Sequence, residues 1–259
     1  GSKTGIEKEV ISTTGITYKQ ISSGKLRRYF SLENAVDVFR VFKGVLDARK
    51  IIKKVKPEFV FSKGGFVTVP VVLAAKSLNI PIYIHESDIT PGLANKIAGK
   101  FANKIFVTFE KTLEYVDKSK SEYIGPVIRD ELKRGNESIG YELTGFDPNK
   151  ETLMIIGGSL GAKHINDFVR EHLDELTEVY QIIHITGQNN IDHTLENSHY
   201  KQFEFVKSEL AHLLSITDTV ISRSGSNAIY EFLALRKPMI LIPLPLSQSR
   251  GDQIENATF

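Results

Sequence analysis

Cysteine is absent from all 259 residues, which removes disulfide scaffolds, Cys-ligated zinc and thiol nucleophiles together and agrees with a reducing compartment. No stretch approaches the roughly 18 consecutive apolar residues of a membrane span, and the opening Gly1-Ser2-Lys3-Thr4-Gly5 has no signal-peptide core. The expectation is a chain neither secreted nor membrane-spanning. There is no Asp-x-Asp to seat a divalent ion under a diphosphate, and the seven histidines are scattered. His193 and His199 are too far apart to form a single helical ligand pair. No metal and no cofactor are expected. The chain also lacks an aromatic stacking pattern or a reading helix, so nucleic acid is not an expected partner.

What is present is the composition of a soluble globular protein, 41% apolar and 25% charged. The length allows two domains of ordinary size, each with its own core. A net charge of +2 conceals an asymmetry: residues 1–60 hold 13 basic and 6 acidic side chains, and the rest carries the acidic excess. A basic end of this kind faces either solvent or an anionic partner such as an acidic membrane surface.

Apolar residues at Leu32, Val36, Phe39, Phe42, Leu46, Ile52 and Val55 recur near the helical period, with Ser31 as N-cap and Pro57 as stop. A long amphipathic helix is expected there. Strands follow at 59–61, 82–84 and 105–107, with helices from 70 to 79 and from 93 to 101 between them. The pattern loosens over 126–150 into glycine, proline and charge, and is read as a linker between a domain of 1–125 and one of 151–259. Alternation then resumes with strands at 153–156, 182–186, 203–206, 219–221 and 239–242, and helices at 163–176, 210–214 and 227–235. Two successive α/β units with parallel sheets are expected, in the manner of two Rossmann-like halves facing a cleft. Ligands in such sheets sit beyond the carboxyl ends of the strands.

The loops at those ends are rich in small and polar residues. Leu153 to Ile156 breaks into Gly157-Gly158-Ser159-Leu160-Gly161-Ala162 before a helix, which reads as an ordinary connector or as a phosphate cradle on a helix start. The turn's spacing is neither that of a dinucleotide fingerprint nor that of a P-loop. Ser222-Arg223-Ser224-Gly225-Ser226 opens a second helix, with Glu231 inside it, and Ser249-Arg250-Gly251-Asp252-Gln253 closes a third loop. Helix starts offer N–H groups to phosphate, and a carboxylate one turn further on can accept two ribose hydroxyls. Together they read as a nucleotide-sugar pocket. His85-Glu86, at the end of a strand, is either an acid/base pair or a satisfied structural pair.

Ser62-Lys63-Gly64-Gly65-Phe66-Val67, His85-Glu86-Ser87-Asp88 with Gly92-Leu93-Ala94-Asn95-Lys96, the turn at 157–162, Ser222 through Glu231, and Asp252-Gln253 with Asn256-Ala257 closely resemble the MurG family. These are the bacterial N-acetylglucosaminyltransferases that complete the lipid-linked peptidoglycan precursor. The resemblance runs in order over nearly the whole chain and is strongest to the low-GC Gram-positive branch. It implies a GT-B, metal-independent, inverting transferase. Its donor is UDP-GlcNAc, bound in the second domain, and its acceptor a lipid-linked muramoyl pentapeptide, bound in the first, on the cytoplasmic face of the membrane.

Carried over by position, the resemblance implies that Gly158, Ser159, Ser224, Gly225 and Ser226 meet the donor diphosphate. Glu231 takes the ribose and Val206 lies along the uracil. Asn95, Asp252 and Gln253 hold the sugar, and Arg129 reaches it from the linker. Gly64 and Gly65 face the acceptor diphosphate, and His85 and Glu86 its muramoyl end, as the catalytic candidates within this chain. Position 252 is Asp where other branches have Gln.

The family's Gly-Gly-x-x-Gly-His loop, which carries its favoured base, has no counterpart in this sequence, and its last helices are also missing. The first domain is therefore expected to be incomplete, with donor bound but turned over poorly, since a positioned base is worth about 10² to 10⁴ in rate. The basic start and the Leu26–Phe30 stretch are expected to face an anionic membrane. Two other readings stand beside this one: a different UDP-sugar enzyme of GT-B architecture, such as a diacylglycerol glycosyltransferase or a sugar 2-epimerase, and a non-catalytic UDP-sugar-binding module.

Overall fold

Pro57 has no N–H to continue a helix, and Lys56 before it turns left-handed (φ 51°), its N–H closing on the Ile52 carbonyl at 2.7 Å. The long helix of the first unit ends there. A computed structural model describes residues 1–2, 6–24, 32–157, 162–195 and 197–259. The chain divides into two units, Gly1–Pro126 and Val127–Phe259.

The first unit contains α1 (Ile6–Ser12), α2 (Leu32–Val55), β1 (Val60–Ser62), α3 (Thr68–Lys76), β2 (Ile82–Glu86), α4 (Leu93–Gly99), β3 (Lys104–Val107) and β4 (Ser121–Tyr123). Its sheet is parallel, with order β1-β2-β3-β4. Ile82, Ile84, Ile105 and Val107 meet Val72, Ala74 and Ala75 of α3 and Ala48 and Ile52 of α2 in one core. The apolar stripe expected to bury α2 is divided. Ala48 and Ile52 face the core, whereas Phe39, Phe42, Leu46 and Val55 are exposed. The Leu26–Phe30 stretch lies outside the described residues.

The second unit contains α5 (Glu137–Thr144), β5 (Thr152–Ile156), α6 (Lys163–Glu171), α7 (Leu173–Val179), β6 (Gln181–Ile185), β7 (Tyr200–Phe203), α8 (Glu209–Ser215), β8 (Thr219–Ser222), α9 (Ser226–Ala234), β9 (Met239–Leu241) and α10 (Asp252–Thr258). All pairs in its five-stranded sheet are parallel, in the order β7-β6-β5-β8-β9. Met154 of β5 packs with Val220, Leu213 and Leu214 on one face, and Leu153 and Ile155 pack with Ile165 and Val169 on the other. Burial on both faces explains why this strand reads as an unbroken apolar run.

Three expectations are corrected. Residues 127–150 are not a free linker: Leu132 and Phe146 are buried in the second core, and α5 packs on α8. The glycines that suggested a loop are there for contact, since a Cβ on Gly140 would lie 2.4 Å from the His212 carbonyl oxygen and one on Gly135 2.3 Å from that of Ala211. The helix expected over 163–176 is two helices, broken at His172. β7 begins three residues before its expected position, because its pairing with β6 starts at Tyr200.

A polar chain crosses this core. Asn166 donates from Nδ2 to the Thr186 carbonyl (2.8 Å), so its Oδ1 accepts from His184 Nε2 (3.0 Å), and His184 Nδ1 accepts from the Tyr200 hydroxyl (2.8 Å). Burial, with Arg170 nearby, pushes the His184 imidazole down from 6.5 to about 4. The unfolded chain therefore takes up this proton first as pH falls, so the stabilisation is complete above pH 6.5 and is lost between 6.5 and about 4. The shift corresponds to roughly 3 kcal/mol. Urea unfolding at pH 7.5 and 4.5 is expected to show that extra loss in the native chain and its absence in His184→Gln; equal slopes in the two proteins would contradict it.

Candidate functional site

In the second unit, β5 pairs on one side with β6 and on the other with β8, and this reversal of strand order opens a crevice at the carboxyl ends. Ile156 and Ser222 are register partners, so the turns leaving β5 and β8 start side by side. Gly157 is forced at the first turn: a Cβ there would lie 2.5 Å from the Ala162 Cβ, just before α6. Gly158 and Ser159, expected at the diphosphate, lie outside the described residues.

The second turn is tied from outside. Ser224 is fully buried, its hydroxyl donating to the Gln253 carbonyl (2.8 Å) and its own carbonyl accepting from Asn256 Nδ2 (3.2 Å). Gln253 Oε1 accepts from the Leu244 N–H (3.0 Å), which fastens the loop after β9 to α10. Arg223 Nη1 donates to the carbonyls of Ile242 and Pro243 (3.1 and 3.3 Å). Gly225 then starts the nine-residue α9 with no side-chain cap, and the buried Ser226 hydroxyl has no partner among the described residues. An uncapped helix start beside an unsatisfied buried hydroxyl is a cradle for an anion with acceptor oxygens.

Glu231, one helical turn beyond Ser226, is buried and grips Arg129 at both oxygens: Nε to Oε1 at 2.7 Å and Nη2 to Oε2 at 2.9 Å. Val206 is half-buried against the main core of this unit. Asp252 faces Arg250, with Oδ1 3.4 Å from Nε. Expected site residues 224–226, 231 and 253 are thus joined with Arg129 in one unit. Arg223 and Asn256 complete the turn, and nothing in their spacing announced it.

In the first unit, Gly64, His85, Glu86 and Asn95 meet at the carboxyl ends of β1 and β2. Gly64 and Gly65 adopt left-handed backbone (φ 90° and 82°), and a Cβ on Gly64 would reach 3.1 Å from Asn95 Nδ2. Ser62 and Thr68 lace the loop, the former accepting from the Gly64 N–H (3.1 Å) and the latter donating to the Gly64 carbonyl (2.6 Å). The Glu86 carboxylate is buried and accepts from Asp88 N–H (3.0 Å), Gly92 N–H (3.1 Å) and Asn95 Nδ2 (2.9 Å).

His85 is buried with Nε2 3.1 Å from the Thr108 hydroxyl, and burial, then the charge of Lys63, lowers its pKa. Glu86, with three of its acceptor positions taken by fixed donors, braces the turn at 88–92, and the His85 imidazole is buried beside Thr108. Two buried atoms here, Asn95 Oδ1 and His85 Nδ1, have no partner among the described residues.

The Glycosyltransferase family 28 N-terminal domain matches residues 1–107, and the corresponding C-terminal domain matches residues 152–259. Curated relatives from Staphylococcus carnosus (strain TM300) and Staphylococcus aureus (strain bovine RF122 / ET3-1) are 62% and 64% identical over 259 residues. These alignments cover 99% of this chain and 72% and 73% of the relatives. Both are named UDP-N-acetylglucosamine--N-acetylmuramyl-(pentapeptide) pyrophosphoryl-undecaprenol N-acetylglucosamine transferase. Among solved structures, the Acinetobacter baumannii MurG crystal structure aligns over 100% of this chain and 73% of its own, with TM-score 0.70 and 25% identity. A UDP-GlcNAc 2-epimerase from Neisseria meningitidis aligns over 91% of this chain and 71% of its own at TM-score 0.64 and 14% identity, a likeness of fold alone.

The bracing role of Glu86 has a direct consequence. Glu86→Ala strands two backbone N–H groups and removes one of the two partners of the Asn95 amide, and is expected to destabilise the first unit by about 3 kcal/mol in chemical unfolding, with UDP-GlcNAc affinity unchanged. A Glu86→Ala chain of undiminished stability would contradict the bracing role.

Proposed function

The chain belongs to glycosyltransferase family 28, and from that premise we propose that it moves N-acetylglucosamine from UDP-GlcNAc to the C4 hydroxyl of a lipid-linked muramoyl pentapeptide, forming a β-1,4 bond with inversion. One observation carries the donor half of this reading: the in-register ends of β5 and β8 set Ile156 beside Ser222, so that the Gly157 turn leaves next to the uncapped start of α9 and the unpartnered Ser226 hydroxyl.

In this reading the diphosphate lies across the Gly157 turn and Ser224 to Ser226, and Glu231 accepts the ribose hydroxyls. Val206 borders the base, and Asp252 and Gln253 border the sugar. As the glycosidic bond to UDP breaks, negative charge grows on the leaving diphosphate. The positive end of α9, equivalent to about half a charge, is fixed there in advance and stabilises the transition state more than the ground state. This role asks for no metal. Gly64, Gly65 and Asn95, with its unpartnered buried Oδ1, are assigned to the acceptor side of the first unit. Asn95 is thereby moved from the donor sugar, because its amide is spent on Glu86 and the His85 carbonyl at the Gly64 loop.

A peripheral place on the cytoplasmic face of the membrane belongs to the same reading. No described helix is long and apolar enough to cross a membrane. On α2, Phe39 (76% exposed), Phe42 (65%) and Leu46 (46%) share a face with exposed Lys43, Lys50 and Lys53. Aromatic side chains bordered by lysines suit the interface of an anionic bilayer.

Calorimetric titration of the chain with UDP-GlcNAc is expected to give micromolar binding, about −8 kcal/mol, weakened at least about tenfold by Glu231→Ala. Label from UDP-[¹⁴C]GlcNAc is expected in lipid when the acceptor is lipid-linked muramoyl pentapeptide and not when it is diacylglycerol. The chain is expected to sediment with phosphatidylglycerol vesicles and to lose that binding in Phe39→Ala/Phe42→Ala. Absence of donor binding, or release of an epimerised sugar without acceptor, would overturn the proposed activity. Equal sedimentation of the double variant would overturn the membrane face.

A further inference from the structure

Glu231 and Arg129 are an unequal pair. The carboxylate side chain is 11% exposed and the arginine side chain 48%, so a buried anion is held by a cation at the surface. The two residues lie 102 positions apart, one in the segment entering the second unit and the other within α9. The contact is a two-point fork, Nε to Oε1 and Nη2 to Oε2. The hydrogen bond to Glu231 raises the arginine's pKa further, against the opposing effect of burial. Such a fork fixes the plane of a carboxylate as a single-point lysine cannot.

A carboxylate has about four acceptor positions, and the fork fills two. Those that remain are coplanar and held in place by α9 and Arg129 together. Two hydroxyls on adjacent ring carbons are suited to that spacing. Resting on the donor reading of this unit, we propose that Arg129 is a positioning residue for ribose. It holds the Glu231 carboxylate in plane, so that the open acceptor positions meet the 2′- and 3′-hydroxyls of the donor nucleoside. Arg129 acts on the ribose through Glu231. The preference for ribose over 2′-deoxyribose is therefore set by a residue outside α9.

The test is calorimetric titration of UDP and 2′-deoxy-UDP into the whole chain, as native protein, Arg129→Lys and Arg129→Gln, each with its melting temperature recorded. The native chain is expected to prefer UDP by about tenfold or more. In Arg129→Gln that preference is expected to fall to within about threefold, the affinity for UDP dropping more than that for 2′-deoxy-UDP, which keeps only its 3′-hydroxyl on Glu231, and Arg129→Lys is expected to restore part of it. If Arg129→Gln does not fold, Arg129→Lys decides: a preference reduced about threefold or more supports the assignment, and an undiminished one overturns it. Equal weakening of both nucleotides by Arg129→Gln, with the preference intact, would place Arg129 on the ligand elsewhere and overturn the positioning role. Equal binding of the two nucleotides by the native chain would overturn it while leaving the donor reading in place. A native chain that binds neither overturns the donor reading and this proposal with it.

Discussion

Parallel strands deliver their carboxyl ends to one edge of a sheet, and each helix that follows arrives there with amide groups it cannot satisfy internally. In the second unit this constraint is sharpest between β5 and β8. Their ends are level, Gly157 brings the backbone against Ala162 just before α6, and α9 begins with no side-chain cap. The features assigned to the donor answer that deficit. Ser224 is anchored by Gln253 and Asn256, so the turn before α9 is held from behind while its N–H groups remain open in front. On the proposed donor reading, this helix start is in place before the substrate arrives, and such preorganisation is what stabilises charge developing on a leaving diphosphate.

The two buried glutamates separate structure from recognition. Glu86 and Glu231 are buried alike, at 4% and 8% exposure, so burial alone does not distinguish them. Glu86 is surrounded by donors that cannot leave, two backbone N–H groups and Asn95. Glu231 is held by a single half-exposed arginine that occupies two of its acceptor positions. Three acceptor positions of Glu86 are filled by the fold and two of Glu231, which leaves Glu231 the greater capacity for a ligand. For the same reason His184, buried with both ring nitrogens bonded, belongs to the core.

The architecture was legible wherever both faces of a strand are covered, because β5 then reads as an apolar run leading into glycine, and β2 and β6 keep apolar stretches at 82–84 and 182–183 beside a buried histidine. It was not legible where a residue serves a contact with a distant partner. Gly135, just before α5, and Gly140, within it, looked like loop punctuation and proved to be sites of close approach to α8. Tyr200, Lys201 and Gln202 lack strand periodicity, since β7 is an edge strand. At the site, the Ser224 to Ser226 turn and Glu231 were visible in local spacing. Bonds from Arg223 and Asn256, the partnership of Arg129 with Glu231, and the bracing by Glu86 depend on side chains that local spacing does not pair.

The most direct measurement is amide hydrogen exchange of the chain with and without saturating UDP-GlcNAc. If the helix start beyond β8 holds the diphosphate, protection rises at residues 223–228, at Gly157 and over 244–256, and residues 62–96 of the first unit are unchanged. Protection confined to residues 62–96, with 223–228 exchanging as before, would place the donor in the first unit and contradict the central claim.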